Sequence, residues 1–180
     1  MSTVGNIPQE LLDRIVQGLK SLGDKTVAVG ESSSGGLISA ALLGVDGAGA
    51  WYKGGGVLYT KESRVSWAGW TEADLRNYRG PTDAVVSGLA ESVAKQLGAD
   101  YAVGESGIAG PHGIGRRLPA GFTCVAVSRP QGRAFTRVIR TGSEDRVQNM
   151  HRFALEGLTL LAEVLESDLK DAQGGARSKL

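Results

Sequence analysis

With one cysteine, Cys124, the chain cannot close an internal disulfide, and its two histidines, His112 and His151, do not make up a zinc site of the usual Cys/His kind. No metal and no cofactor are expected. Charge of one sign is missing as well. Twenty basic against 19 acidic residues leave a net charge of +1, so there is no basic field to hold nucleic acid. No apolar run reaches the ~18 residues of a membrane span, and no secretory leader pattern opens the sequence. A protein of a reducing compartment, with neither a membrane nor a nucleic acid as partner, is the expectation. Several catalytic motifs are missing too. There is no Walker loop, and Gly54-Gly55-Gly56 lacks the strand–G-x-G-x-x-G–helix order of a dinucleotide site. The G-x-S-x-G elbow fails at its last position in both Gly30–Ser34 and Gly104–Ile108.

What is abundant is glycine, 27 residues, in a chain of 180 that is 41% hydrophobic, enough for one domain with a full core. Apolar periodicity predicts a helix over 7–22 on the stripe Leu11, Ile15, Leu19 and Leu22, with Asn6 as cap and Gly23 as stop. A strand is expected over 26–29, a small-residue helix over 36–43, a second strand over 56–60, and short helices over 61–67 and 73–78. Thr82 opens a stronger helix to Leu97, with Val85, Val86, Leu89 and Val93 on its apolar face and Gly98 as stop. A third strand is expected over 101–104. A Gly/Pro-rich loop over 110–121, carrying Arg116 and Arg117, has the length and content of a functional loop over a pocket. Strands over 122–127 and 134–139 join at Pro130-Gln131-Gly132 as a hairpin, and a helix over about 144–165 closes the fold. Alternating helices and strands with one hairpin predict a three-layer α/β/α sandwich with a mixed sheet. Residues 1–168 form its single domain, and 169–180 a flexible tail.

Two segments of the chain nearly repeat each other. Val29-Gly30-Glu31-Ser32-Ser33-Ser34-Gly35-Gly36 and Val103-Gly104-Glu105-Ser106-Gly107-Ile108-Ala109-Gly110 each follow an apolar run that reads as a strand. Hydroxyls and glycines at a strand end are common turn and cap residues. They also leave backbone N–H groups free for an anion or a developing oxyanion, and two such ends predict a pocket between neighbouring strand termini. Ser32, Ser33 and Ser34 offer candidate nucleophiles, which need a base at neutral pH. A triad through His112 or His151 is open on residue types alone, although His151 falls inside the last helix. Lys61 and Arg64, three apart, share one helical face and could serve a hydroxyl-rich pocket or only face solvent. Trp51, Trp67 and Trp70 read as core or interface residues.

Glu31-Ser32-x-Ser34-Gly35-Gly36, Gly47 to Trp51, Gly56 to Arg64, Ser106-Gly107-Ile108-Ala109-Gly110-Pro111 and Pro119-Ala120-Gly121 together resemble the CinA C-terminal domain family, the bacterial nicotinamide-nucleotide amidases. In order and spacing the resemblance covers residues 7 to 165. It implies a mixed five-stranded sheet and hydrolysis of the amide of nicotinamide mononucleotide, giving nicotinic acid mononucleotide and ammonia without a metal. It also implies roles. Ser32 would be the nucleophile. Tyr59 would end the second strand. Ser34 and Ser106 keep hydroxyls where the family has threonine. Glu31, Ser34, Gly35, Gly36, Gly107, Ile108, Ala109 and Gly110 would line the substrate.

The chain departs from the family's pattern in places. Arg64 stands where the family has the lysine expected to act as base, and a guanidinium stays protonated at physiological pH. Lys61 replaces an asparagine one helical turn earlier, His112 replaces an aspartate, and Glu105 is an unusual charge beside the site. Two alternatives therefore stay open beside the amidase. One is a catalytically impaired nucleotide-binding or assembly protein of the same fold. The other is an amidase of altered substrate using Lys61 or His112. The expected partners are a small nucleotide-like substrate and further copies of the chain in a homo-oligomer. Ser178-Lys179-Leu180 matches the peroxisomal import tripeptide. In a eukaryote it would engage the import receptor and place the protein in peroxisomes; otherwise a cytoplasmic location is expected.

Overall fold

Five strands form one sheet in the order β2-β1-β3-β4-β5 in a computed structural model that describes residues 3–115 and 117–177. The strands are β1 (Val27–Glu31), β2 (Tyr52–Val57), β3 (Tyr101–Ile108), β4 (Phe122–Ser128) and β5 (Phe135–Arg140). β2, β1 and β3 run parallel, and β4 and β5 complete the sheet as an antiparallel hairpin. The helices are α1 (Gln9–Ser21), α2 (Leu37–Leu43), α3 (Lys61–Ala68), α4 (Glu72–Asn77), α5 (Asp83–Leu97) and α6 (Arg146–Arg177).

The two faces of the sheet differ because alternate residues of a strand point to opposite sides. Val27, Val29, Tyr101, Val103, Val125 and Val127 bury themselves against α1, α2 and α6, where Ile15, Leu19, Ile38, Leu158, Leu161 and Leu165 fill the larger core. Each such fully buried aliphatic side chain contributes about 1.5–3 kcal/mol relative to an exposed one. The other face presents Ala28, Gly30, Ala102, Gly104 and Ala126, and α5 lies on it with Val86, Leu89, Ala90 and Val93. The approach is close. A Cβ on Gly104 would stand 2.1 Å from the carbonyl oxygen of Val86, so only glycine admits α5 at that point. The expected three-layer α/β/α sandwich with a mixed five-stranded sheet is the fold observed.

Several boundaries differ from the sequence expectation. The first helix starts at Gln9 with Pro8 as its cap, and Asn6 lies outside it with φ +55°. The second strand is Tyr52–Val57 rather than 56–60, so the three consecutive glycines lie inside an edge strand paired to Ala28, Val29 and Gly30. Strand β3 does not end at Gly104; it runs through Glu105-Ser106-Gly107-Ile108 because β4 pairs with those residues. The last helix passes residue 165 and continues to Arg177, so residues 169–177, expected as a flexible tail, are helical. Asp168 on that extension accepts hydrogen bonds from Tyr101 and Arg129. The Ser178-Lys179-Leu180 tripeptide and Arg116 lie outside the described residues. No described helix is long and apolar enough to cross a membrane.

Candidate active site

Strand pairing places the two repeated segments side by side. Val29 pairs with Val103 and Gly30 with Gly104, so Glu31 and Glu105 come next at equivalent points of adjacent parallel strands. There β1 ends, and Ser32, Ser33 and Ser34 turn off the sheet into α2 through Gly35 and Gly36, whose φ values of +69° and +97° suit residues without a side chain. Glu31, Ser32, Ser33, Ser34, Glu105 and Ser106 are all buried.

The glutamates hold this turn from one side. Glu31 Oε1 accepts from the N–H of Ser39 at 3.0 Å and its hydroxyl at 2.6 Å, while Oε2 accepts from the N–H of Ile38 at 3.2 Å. The Ser34 hydroxyl lies 2.6 Å from Glu31 Oε2 and 3.0 Å from Glu105 Oε2, bridging the two carboxylates. Glu105 Oε2 also accepts from the N–H groups of Ser32 at 3.0 Å and Ser34 at 2.9 Å. The Ser33 and Thr123 hydroxyls reach Glu105 Oε1. Burying a carboxylate costs several kcal/mol unless such donors surround it, and here they do. Glu31 and the N–H groups of Ser32 and Ser34 are therefore already occupied within the protein in this conformation.

Arg64 approaches from the other side. Thr60 caps α3 in a reciprocal box with Ser63, which turns Arg64 inward. Arg64 is 2% exposed. Its Nε donates to the carbonyl of Leu58 at 3.0 Å, and Nη2 donates to Ser32 Oγ at 3.2 Å and Ser106 Oγ at 3.0 Å. Trp70 and Tyr78 each place a ring centroid 4.9 Å from its central carbon, giving cation–π contacts. The same two rings line a cavity of about 420 Å³ with Asp74, Thr82, Val85 and Gly88. Arg64 Nη1 is buried without a partner. Ser32, Ser106 and Arg64 thus meet at one point. Arg64 is the sole hydrogen-bond partner of the Ser32 hydroxyl among the described residues, and it cannot take a proton.

The other candidates separate from this cluster. Lys61 is exposed, with its ammonium 5.9 Å from the Tyr78 ring centroid, and makes no hydrogen bond to Ser32: one turn of α3 that turns Arg64 inward leaves Lys61 at the solvent end. Tyr59 lies beyond the end of β2 rather than within it and is 55% exposed. Gly107 and Ile108 are ladder residues of β3, not a turn. Ile108 accepts from the N–H of Gly121, Ala109 from the Asn149 amide at 2.7 Å, and Gly110 from Arg146 Nη1 at 2.7 Å. Gly35 is exposed at the turn. His112 is exposed, and His151 faces the carbonyl of Gly5 at 3.1 Å, so neither forms a triad with Ser32. The 110–121 loop folds back on itself through an Ile114–Leu118 bridge and borders a cavity with Arg79, Pro81 and Thr82 rather than the serine turn. Among the described residues no His/Cys/Asp/Glu cluster is placed to hold a metal.

Two residues at the site went unmarked by any motif. Arg146, in the first turn of α6, joins the Tyr59 hydroxyl at 3.1 Å to the Gly110 carbonyl. Asn149, fully buried, ties Ala109 to the Ser143 carbonyl. An asparagine inside an apolar helical pattern is the only hint the sequence held for either.

Residues 8–165 match the family model of the CinA C-terminal domain. The chain belongs to that family. A CinA-like protein of Picosynechococcus is 30% identical over 159 residues, which are 87% of this chain and 38% of that protein. The chain spans a similar 34% of a CinA-like relative from Acidobacterium capsulatum, so it corresponds to about a third of these relatives' length. The nicotinamide-nucleotide amidohydrolase PncC of Escherichia coli is 34% identical over 128 residues, 71% of this chain and 77% of that protein. Among solved structures, the competence/damage inducible protein CihA of Agrobacterium tumefaciens superposes with a TM-score of 0.83 at 27% identity, covering 92% of this chain and 99% of that one. A CinA superfamily protein of Klebsiella pneumoniae gives 0.80 at 26% identity, over 88% and 97% of the two chains.

Proposed function

We propose that the chain is a slow amidohydrolase acting on the carboxamide of nicotinamide mononucleotide, with Ser32 as nucleophile. The meeting of Ser32, Ser106 and Arg64 Nη2 where β1 ends beside β3 carries the reading. The similarity to an amidohydrolase of nicotinamide nucleotides supports the substrate class. In the reaction Ser32 Oγ bonds to the carboxamide carbon while its proton passes to water. Water returns that proton to the amide nitrogen as the C–N bond breaks, so the nitrogen leaves as ammonia and Ser32 is left as an ester. Water finally cleaves the serine ester to give the carboxylate and restore the hydroxyl.

The rate is set by the groups that contact Ser32. Arg64 donates to its oxygen and cannot accept its proton, so the contribution of about 10²–10⁴-fold that a positioned base supplies is absent. That same observation favours a second reading, a nucleotide-binding member of the family that no longer turns over.

Ammonia release from nicotinamide mononucleotide by the full chain separates the two. Slow saturable release is expected. It should vanish in Ser32→Ala, whose melting temperature should fall by no more than about 4 °C for one lost hydrogen bond. Release no greater than that of Ser32→Ala rejects the amidohydrolase and leaves the binding protein. Equal, brisk release from both rejects Ser32 as nucleophile.

A further inference from the structure

The carboxylate of Glu105 sits where an incoming anion would. The N–H groups of Ser32 and Ser34, two residues apart in a tight turn, converge on a single oxygen, Glu105 Oε2. Convergent backbone N–H groups are the arrangement by which proteins hold a phosphate or an oxyanion. Here the protein fills it with its own side chain, and the Ser33 and Thr123 hydroxyls close over the second oxygen. Glu105 is fully buried and so has no solvent-facing alternative. Its neighbour Ser106 points to the opposite face of β3, where it meets Arg64, so a cation and a carboxylate flank the strand end.

We propose that Glu105 is an internal anion that plugs this N–H site and thereby determines specificity. It bars phosphate and carboxylate groups from the serine turn. It also denies those two N–H groups to an oxyanion formed at Ser32. The buried donor left open beside Ser32 is Arg64 Nη1. The substrate this selects presents a neutral carbonyl to the cluster and keeps its phosphate elsewhere.

The proposal deepens the amidohydrolase reading, but melting temperatures decide it rather than ammonia release, so either can fail alone. Native protein and Glu105→Ala are melted in sodium formate, sodium phosphate and sodium chloride at equal ionic strength. Formate supplies the lost carboxylate as a free ion, and phosphate tests the larger anion. Glu105→Ala should rise by about 4 °C in formate relative to chloride, the shift for a ligand at about ten times its Kd, while the native protein should not respond. A gain in phosphate as well would support the exclusion of phosphate by Glu105, and no phosphate gain in a folded Glu105→Ala would overturn that part and leave a plug against carboxylates alone. If Glu105→Ala unfolds in chloride, recovery of its fold in formate supports the plug, and no recovery overturns it. An equal formate response in the native protein, or none in a folded Glu105→Ala, overturns it too.

Discussion

Val29-Gly30-Glu31-Ser32 and Val103-Gly104-Glu105-Ser106 read alike and lie in register on adjacent strands, yet they do different work. In the first, the glutamate turns along its own chain and gathers the start of α2, accepting from Ile38 and Ser39. In the second, it reaches across to the other segment and gathers the serine turn. The glycines agree in role, since both admit α5: a Cβ on Gly30 would meet Val93 at 3.1 Å, and one on Gly104 would meet the Val86 backbone. The difference comes from the residues next along each chain. Serines and glycines turn the first off the sheet, whereas β4 keeps the second extended through Ile108. Similar residues therefore give local capping in one place and long-range closure in the other.

Cys124 offers the largest test of that distinction. It pairs with Ser106 across β3 and β4. Burial, helped by the negative charges of Asp83 and Glu105, pushes its thiol up to about 12. At pH 8 it should react with a disulfide reagent roughly a thousandfold more slowly than a free cysteine, with the rate climbing as pH rises toward that value. Glu105→Ala should speed the reaction under native conditions, and Glu31→Gln should not. Equal acceleration in both would erase the functional difference between the segments.

Next in size is the effect of Arg64→Lys, which acts where the two segments' serines meet. A lysine that shed its proton could serve Ser32 as a base, and ammonia release should rise by about a hundredfold. An unchanged rate would show that the cation is not what limits turnover.

The smallest expected effect is on stability. Glu31→Gln sets an amide NH2 donor against the N–H donors at the start of α2 and should lower stability by about 2–3 kcal/mol in urea denaturation. Glu105→Gln should cost about half as much, because the Thr123 hydroxyl has the Ser106 carbonyl at 3.0 Å as an alternative acceptor. Equal losses would mean that both glutamates are struts of one kind.

The elements legible in the sequence are those whose signal is periodic and local. The α1 stripe of Leu11, Ile15 and Leu19 is buried as expected, as is the α5 face of Val86, Leu89 and Val93 with its Thr82 cap. The hairpin about Pro130-Gln131-Gly132 is legible for the same reason. Strand β2 is displaced from its expected span because Gly54-Gly55-Gly56 carries no strand propensity. Its place comes from a partner, since a Cβ on Gly55 would stand 2.6 Å from the Val29 carbonyl. The far half of β3 has the hydroxyls and glycines of a turn, and only β4 makes it a strand. At the site, Ser32, Ser106 and Arg64 are marked by the family resemblance and do converge. Lys61 and Arg64 share a helical face by spacing, but the capping of α3 decides which of them points inward. Glu105 is visible as an out-of-place charge, and nothing local could say that it reaches across to Ser32 and Ser34.

The unequal lengths of two neighbouring strands matter beyond the sheet itself. β1 has five residues and β3 has eight, and their pairing ends at Gly30 and Gly104, leaving Glu105 to Ile108 with no strand on the β1 side. The cluster of Ser32, Ser106 and Arg64 occupies a socket left by that mismatch. Side chains at its rim can be exchanged without breaking a rung of the sheet. A lineage can therefore gain, retune or silence a reaction there while its scaffold stays as it was, and architecture alone will not distinguish a working member from a silent one.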